Sequence, residues 1–235
     1  MLALATIYIP ISLGAQTADE WFQKGLEAFR WQKNDEAAAF FRKAGESDTG
    51  RDEYFLYLGI CLHEAGRMED AEGAYSRGIA LNGPYRDALL LRRGNLRWVN
   101  HDPSGALEDY SRVVAGGGSQ ASSALLNRAN LELVEEDFTP ALTDYEDYLV
   151  MEPAAPDRPT IEKIIALLTE DLASAEAAEA RRLAEEARLA EEAARREALM
   201  QEVRDSLSNS GSKTTSVSAG TENIHEDFED SALED

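Results

Sequence analysis

The sequence contains very few of the residues that metal, thiol or phosphate chemistry needs. Cys61 is the single cysteine among 235 residues, so no disulfide can form within the chain. The three histidines, His63, His101 and His225, are far apart and do not have the spacing of a metal site. A phosphate loop, a dinucleotide fingerprint and a nucleophile with a neighbouring base are also missing. We therefore expect no enzyme activity, no cofactor and no metal.

Basic residues are scarce as well. The chain has 23 lysines and arginines against 45 aspartates and glutamates, which gives a formal net charge of −22 at pH 7. Such an acidic chain repels the phosphates of nucleic acids and anionic lipid surfaces, so neither is expected as a partner. A basic protein or an ordinary peptide is a more plausible partner, and the alternative is that the acidity only maintains solubility.

Long hydrophobic runs are missing, and the longest apolar stretch is at the N-terminus. Residues 2–13 are apolar and are followed by Gly14, Ala15 and Gln16. This stretch is shorter than the roughly 20 residues that a transmembrane helix needs, so no membrane span is expected. Residues 1–16 resemble a secretory signal cleaved after Ala15, although no basic residue precedes Lys24. This favours export, to the periplasm of a bacterium. The alternative is a cytoplasmic protein whose apolar N-terminal segment packs on the domain that follows.

The chain does contain one pattern four times. Residues 104–113 (SGALEDYSRV) and 139–148 (TPALTDYEDY) are alike, and related stretches occupy residues 69–78 and 35–44. Three series of residues recur with steps of 34, 35 and 35 residues: Ala37, Ala71, Ala106 and Ala141; Phe41, Tyr75, Tyr110 and Tyr145; and Gly25, Gly59, Gly94 and Ala129. A fixed period of this length indicates a repeat architecture.

These residues resemble the pattern of the tetratricopeptide repeat (TPR) family, which has a large residue and Leu-Gly on a first helix and Ala, an aromatic residue and Ala on a second. The departures are Lys24, Arg93 and Arg128 in place of Leu, and Ala129 in place of Gly. The resemblance implies an all-α, right-handed solenoid of helical hairpins over residues 17–156. The four repeats would span about 18–51, 52–86, 87–121 and 122–156. Helices of about a dozen residues are unstable alone, so the hairpins must stack.

The resemblance also implies a concave groove, lined by the first helix of each repeat, that receives a peptide or a segment of another protein. Candidate partner-binding residues are Tyr57, Ile60, Arg92, Asn95, Trp98, Asn127 and Asn130. Tyr57 and Ile60 are expected to hold an apolar side chain, while Arg92 and the asparagines bind peptide backbone or a carboxylate. The carboxylate clamp of chaperone adaptors is disfavoured, because Phe22, Tyr57 and Ala88 stand where it has Lys or Asn. Alternatively, the polar residues are simply solvated.

A different composition begins after the repeats. Residues 160–207 lack Gly and Pro and are rich in Ala, Glu, Arg and Leu, which favour helix. Residues 157–207 are therefore predicted to form a helix that first caps the last repeat through Ile161, Ile164 and Leu168, then continues as a long charged helix. The continuation is either a solvated spacer or a weak Ala-rich coiled coil that dimerises.

Residues 208–235 are first polar and then acidic, which predicts a disordered tail. Ile224, Phe228 and Leu233 among its acidic residues could form a short partner motif, or the tail could be inert. The whole sequence predicts a non-enzymatic interaction adaptor or scaffold that binds a protein or peptide in its groove. The alternative is a structural, envelope-assembly element that self-associates through the Ala-rich helix.

Overall fold

A computed structural model describes the backbone of residues 16–215 and the side chains of residues 16–209. Within these residues the chain forms helices and no strands, which confirms the all-α prediction. The helices are α1 (Ala18–Arg30), α2 (Asn34–Ser47), α3 (Asp52–Glu64), α4 (Met68–Leu81), α5 (Arg86–Val99), α6 (Pro103–Gly116), α7 (Ala121–Val134), α8 (Phe138–Met151) and α9 (Arg158–Thr215).

The first eight helices form four hairpins, α1–α2, α3–α4, α5–α6 and α7–α8, which we call hairpins 1 to 4. Each hairpin packs on the next, and the first helices also touch one another, α3 with α5 and α5 with α7. The first helices therefore share one side of a solenoid. The turn inside each hairpin has its middle residue in the left-handed region, with φ of 57° at Gln32, 75° at Gly66 and 61° at both His101 and Glu136.

The recurring glycines allow the two helices of a hairpin to approach closely. A Cβ atom added to Gly59 would lie 2.3 Å from the Tyr75 ring, and one added to Gly25 would lie 2.5 Å from the Phe41 ring. Real Cβ atoms do not come this close to a ring, so in hairpins 1 and 2 the ring of the second helix leaves no room for a side chain at these positions. In hairpin 4 Ala129 takes this place, and Ala129 and Tyr145 are both fully buried in one cluster.

Two of the departures from the TPR pattern have matching partners on the second helix. Arg93 donates from Nε and Nη2 to the carboxylate of the fully buried Asp109, at 2.8 and 2.6 Å. Arg128 donates in the same way to Asp144, at 2.5 and 2.7 Å. Arg128 follows Arg93 by 35 residues, and Asp144 follows Asp109 by the same number, so the second pair repeats the first one period later. The Asp in the repeated Leu-x-Asp-Tyr pattern is therefore the partner of an arginine that replaces the usual Leu.

The chain divides at residues 172 and 173 into two compact units. In the first, Ile161 and Leu168 at the start of α9 are buried with Leu149 of α8, so this part of the helix covers the end of hairpin 4. In the second unit, α9 is exposed to solvent and carries ion pairs three or four residues apart, such as Arg182–Glu179 and Arg182–Glu186 at 2.5 and 2.6 Å.

Helix α9 reaches Thr215, eight residues beyond its predicted end at Leu207. The stretch 208–215 lacks proline, so no residue in it forces the helix to stop. Residues 1–15, with nearly all of the predicted signal, and residues 216–235, with most of the predicted tail, lie outside the described residues. Among the described helices, none has both the length and the apolar character that a membrane crossing requires.

Candidate binding groove

The side of the solenoid that carries the first helices contains a cavity of about 580 Å³, which we call the groove cavity. Helices α3, α5 and α7 supply most of its walls, so it spans three successive repeats. Its lining residues are Leu56, Ile60, Ala88, Leu91, Arg92, Asn95, Gln120, Ser122, Ser123, Leu126, Asn127, Tyr148 and Glu152. The volume lies within the range of about 300–1,000 Å³ that is usual for ligand sites.

The apolar part of the groove cavity is built by the repeat register. Leu56, Leu91 and Leu126 are 35 residues apart and line the cavity from three consecutive first helices. Ile60 and Ala88 add to this surface. These leucines are missing from the predicted site residues. The period of 35 would have predicted Leu91 and Leu126 once Leu56 was assigned to the groove.

The polar part contains a chain of hydrogen bonds that fixes what Asn95 can do. Its Oδ1 accepts from the hydroxyl of Tyr110 and from Nδ2 of Asn127, each at 2.9 Å. Both lone pairs of this oxygen are therefore used inside the protein. Towards a ligand, Asn95 can therefore only donate, through the N–H groups of its amide. The ligand atom at this point must then be an acceptor, such as a carbonyl or carboxylate oxygen.

Arg92 lies three residues before Asn95, on the same face of α5. Its side chain is exposed and makes no ion pair or hydrogen bond within the part of the chain that the structure describes. The cavity lining also includes Glu152, so it carries one charge of each sign. A guanidinium next to an amide that can only donate is suited to an acceptor, and best to a carboxylate.

The structure brings four of the seven predicted site residues together and places three elsewhere. Ile60, Arg92, Asn95 and Asn127 all line the groove cavity. Tyr57 is not among the lining residues; its ring packs against Phe22, Phe29 and Phe41, with centroid distances of 5.6, 5.9 and 5.4 Å.

Asn130 and Trp98 also lie away from the groove cavity. Oδ1 of Asn130 accepts a 2.7 Å hydrogen bond from the hydroxyl of Tyr145, so this residue repeats the role of Asn95 towards a tyrosine. Trp98 lines a separate cavity of about 640 Å³ at the turn ends of hairpins 3 and 4, with Val99, Pro103 and Val134 among its neighbours. Within the described residues, no three His, Cys, Asp or Glu side chains are grouped in a way that could hold a metal ion.

Comparisons with known proteins agree with this architecture. No protein-family model matches the chain, and no match was found among curated protein sequences. Among solved structures, the crystal structure of MamA protein is 16% identical, with 65% of this chain and 81% of that chain covered and a TM-score of 0.57. A second MamA structure is 17% identical, with 63% and 84% covered and a TM-score of 0.55.

A tetratricopeptide repeat protein from Parabacteroides merdae ATCC 43184 is 16% identical, with 67% of this chain and 62% of that chain covered and a TM-score of 0.59. Likeness at this level of identity concerns the fold. The chain therefore has the TPR fold, in which hairpins of two helices stack into a solenoid, followed by a long helix.

Proposed function

We propose that this protein is a non-enzymatic adaptor that holds an extended segment of another protein in the groove cavity. The observation that carries the proposal is the composition of that cavity. Three successive first helices join an apolar strip, Leu56, Leu91 and Leu126, to a polar strip that includes Arg92, which makes no ion pair or hydrogen bond in the described chain. Surfaces of this kind fix a segment through one apolar side chain and a few oriented polar contacts.

The expected ligand has an apolar side chain next to a carboxylate or an exposed carbonyl. The apolar group would lie against Leu56, Leu91 and Ile60. The oxygen would accept from the Arg92 guanidinium and from the N–H groups of Asn95, whose own oxygen is already bonded to Tyr110 and Asn127. The ligand atom that contacts Asn95 is therefore proposed to be a hydrogen-bond acceptor.

The test is capture in living cells with a photo-crosslinking residue at position 123, on the wall of the groove cavity. Arg92→Glu should abolish most of the crosslinked partner. Arg77→Glu is the matched control, because Arg77 is an exposed arginine on α4 outside this cavity. Asn95→Ala and Asn130→Ala are unsuitable, since each would leave a buried tyrosine hydroxyl without its partner. A partner captured equally by both charge-reversal variants would contradict the proposal.

We further propose that the protein is exported and works in the bacterial periplasm. The support is the apolar stretch at residues 2–13 followed by Gly14, Ala15 and Gln16. Production of the whole chain in a bacterium tests this: the expected product is a periplasmic protein whose mass corresponds to a start at Gln16. A cytoplasmic protein that retains residues 1–15 would support the alternative location.

A second candidate function is structural, through self-association of α9. The observation that favours it is a set of exposed apolar side chains on this helix: Leu183, Leu189, Leu199, Met200, Val203 and Leu207. Met200, Val203 and Leu207 recur at the alternating spacing of three and four residues that coiled coils use. Light scattering over a range of concentrations tests it: a mass that rises with concentration, and falls back in Val203→Glu, is expected for a coiled coil.

A further inference from the structure

The cavity at the turn ends of hairpins 3 and 4, which we call the turn-end cavity, is a second concave surface of the solenoid. Its volume is about 640 Å³, and its lining residues are Trp98, Val99, His101, Pro103, Val134 and Glu135. This lining and that of the groove cavity consist of different residues. Substitutions in one cavity therefore leave the lining of the other intact.

Two valines make the turn-end cavity apolar at a place where the first two hairpins are charged. Val99 and Val134 are the last residues of α5 and α7, 35 residues apart, and their side chains are 63% and 65% exposed. The last residues of α1 and α3, at the equivalent place, are Arg30 and Glu64. Neighbouring apolar side chains that water reaches in a concave surface indicate a site for a partner.

Trp98 adds an indole ring to the same cavity. It is partly buried and packs against the cluster that contains Leu90, Tyr110 and Leu131, so the packed core holds it in place. An indole is the aromatic group that attracts a cation most strongly. This wall of the cavity therefore favours a positively charged ligand.

The rim of the turn-end cavity is negatively charged. Glu135 lines the cavity, and Glu136 and Asp137 follow it directly in the turn of hairpin 4. All three carboxylates are exposed, and none forms an ion pair within the part of the chain that the structure describes. The cavity thus combines apolar walls with uncompensated negative charge, whereas Arg92 gives the groove cavity a free positive charge.

We propose that the turn-end cavity binds an arginine side chain of a partner protein, on a segment where an apolar residue is next to that arginine. The guanidinium stacks on the Trp98 indole and donates to the carboxylate of Glu135. The methylene stem of the arginine and its apolar neighbour contact Val99 and Val134.

This site goes beyond the proposed function, since it does not depend on any ligand of the groove cavity. A second copy of this chain is a poor occupant, because two chains that each carry a net charge of −22 repel each other. With both cavities occupied, the protein joins two partners of opposite chemistry: an acceptor-bearing segment at Arg92 and a basic segment at Glu135.

The test uses the full chain and a fluorescent peptide in which arginine and leucine alternate, with binding followed by fluorescence anisotropy. Glu135→Arg should weaken binding roughly tenfold, because it reverses the charge that faces the guanidinium. Val134→Ser should weaken binding roughly threefold, because it removes part of the apolar wall. A peptide with glutamine in place of arginine should bind at least about tenfold more weakly than the arginine peptide.

Matched controls make the same two changes on α8, outside both cavities. Glu146 and Val150 are exposed on this helix. Glu146→Arg and Val150→Ser should each change the affinity by less than about twofold, because salt screens distant exposed charges and Val150 contacts no ligand. Circular dichroism of each variant confirms that its helices are intact.

Several results would overturn the proposal. Equal weakening by Glu135→Arg and Glu146→Arg would show that the peptide responds only to the overall charge. Unchanged binding in Val134→Ser, or equal binding of the glutamine peptide, would show that the cavity does not select an arginine. A dimer mass in light scattering that Val134→Ser returns to that of one chain would show that a second copy covers the cavity.

Arg92→Glu separates this proposal from the adaptor function of the groove cavity. It should leave the affinity for the arginine peptide within about twofold, and a larger loss would place the peptide in the groove cavity and overturn the proposal. If the arginine peptide does not bind, the proposal also fails. The adaptor function would still stand in that case, provided that a partner crosslinked at position 123 requires Arg92.

Discussion

Asn95 accepts a hydrogen bond of 2.9 Å from the hydroxyl of Tyr110, fifteen residues further along the chain. Asn130 and Tyr145 repeat this relationship in hairpin 4. In hairpin 2 the corresponding residues are Ile60 and Tyr75, and the hydroxyl of Tyr75 is buried without a hydrogen-bond partner. Burial raises the pKa of Tyr75 well above its ordinary value. The two asparagines therefore stabilise the fold, and Asn95 also lines the groove cavity.

This difference between the tyrosines predicts opposite effects of one substitution. Tyr75→Phe removes a buried hydroxyl that has no partner and should raise the free energy of unfolding by about 1 kcal/mol. Tyr110→Phe removes a hydrogen bond and should lower the free energy of unfolding by about 1 kcal/mol. Urea denaturation of the two variants measures both changes. Equal destabilisation by both would show that the Tyr75 hydroxyl is satisfied in solution.

The buried pair of Arg93 and Asp109 predicts that a double substitution is milder than a single one. Asp109→Ala leaves the arginine buried without its carboxylate and should cost about 3–5 kcal/mol. Arg93→Leu combined with Asp109→Ala recreates the Leu58 and Ala74 that hairpin 2 has at these places and should recover part of the loss. The rest stays lost, because Asp109 also accepts from Nη1 of Arg97 at 3.1 Å. Chemical denaturation checks this. A double variant that is less stable than Asp109→Ala would contradict it.

Glu132 predicts a loss of stability as pH rises towards neutrality. Burial, aided by the carboxylate of Asp144, raises the pKa of Glu132 from its ordinary value of 4.5 to about 7, against an opposing effect of Arg128. Between these two values the unfolded chain releases the proton and the folded chain retains it, so the free energy of unfolding falls with increasing pH. Above the folded pKa, the whole of this contribution has been lost.

Glu132→Gln tests this carboxyl, because glutamine stays neutral at every pH. The variant should gain stability relative to the wild type at pH 8, and the difference should shrink at pH 5. Glu135→Gln, a change at an exposed neighbour, is the control and should show no such trend. A constant difference between Glu132→Gln and the wild type from pH 5 to pH 8 would show that Glu132 does not titrate in this range.

Two glycines of hairpin 2 predict opposite responses to alanine. Gly59→Ala would place a methyl group 2.3 Å from the Tyr75 ring and should cost about 1–3 kcal/mol, because the ring must shift within a packed core. Gly73 on α4 has no atom within 4 Å of an added Cβ, so Gly73→Ala should gain up to about 1 kcal/mol from helix propensity. Thermal unfolding compares the two directly, and a stable Gly59→Ala variant would contradict the packing argument.

The helical repeats and their register follow from the sequence alone, and the resemblance to the TPR family implies which side of each hairpin faces the groove. The reason is that a period of 34 or 35 residues places equivalent side chains at equivalent points of stacked hairpins. The register assigned Ile60, Arg92, Asn95 and Asn127 to one surface, and these four line the groove cavity. It assigned Tyr57 and Asn130 to the same surface, and the structure places these two elsewhere. The same register contained the leucine strip of the groove, since Leu91 and Leu126 follow Leu56 at that period.

Which polar groups remain free to bind a ligand depends on contacts between helices, and the repeat register does not predict these contacts. Register places Asn95 on a helix face, but its oxygen is used by Tyr110 and Asn127, which approach from other helices. Arg93 replaces the Leu of the TPR pattern, and from sequence alone a basic residue is expected to be exposed. It is buried because the carboxylate of Asp109 on the second helix accepts its hydrogen bonds. Hydrogen-bond partners depend on which side chains meet across the packed helices, and that is a property of the assembled solenoid.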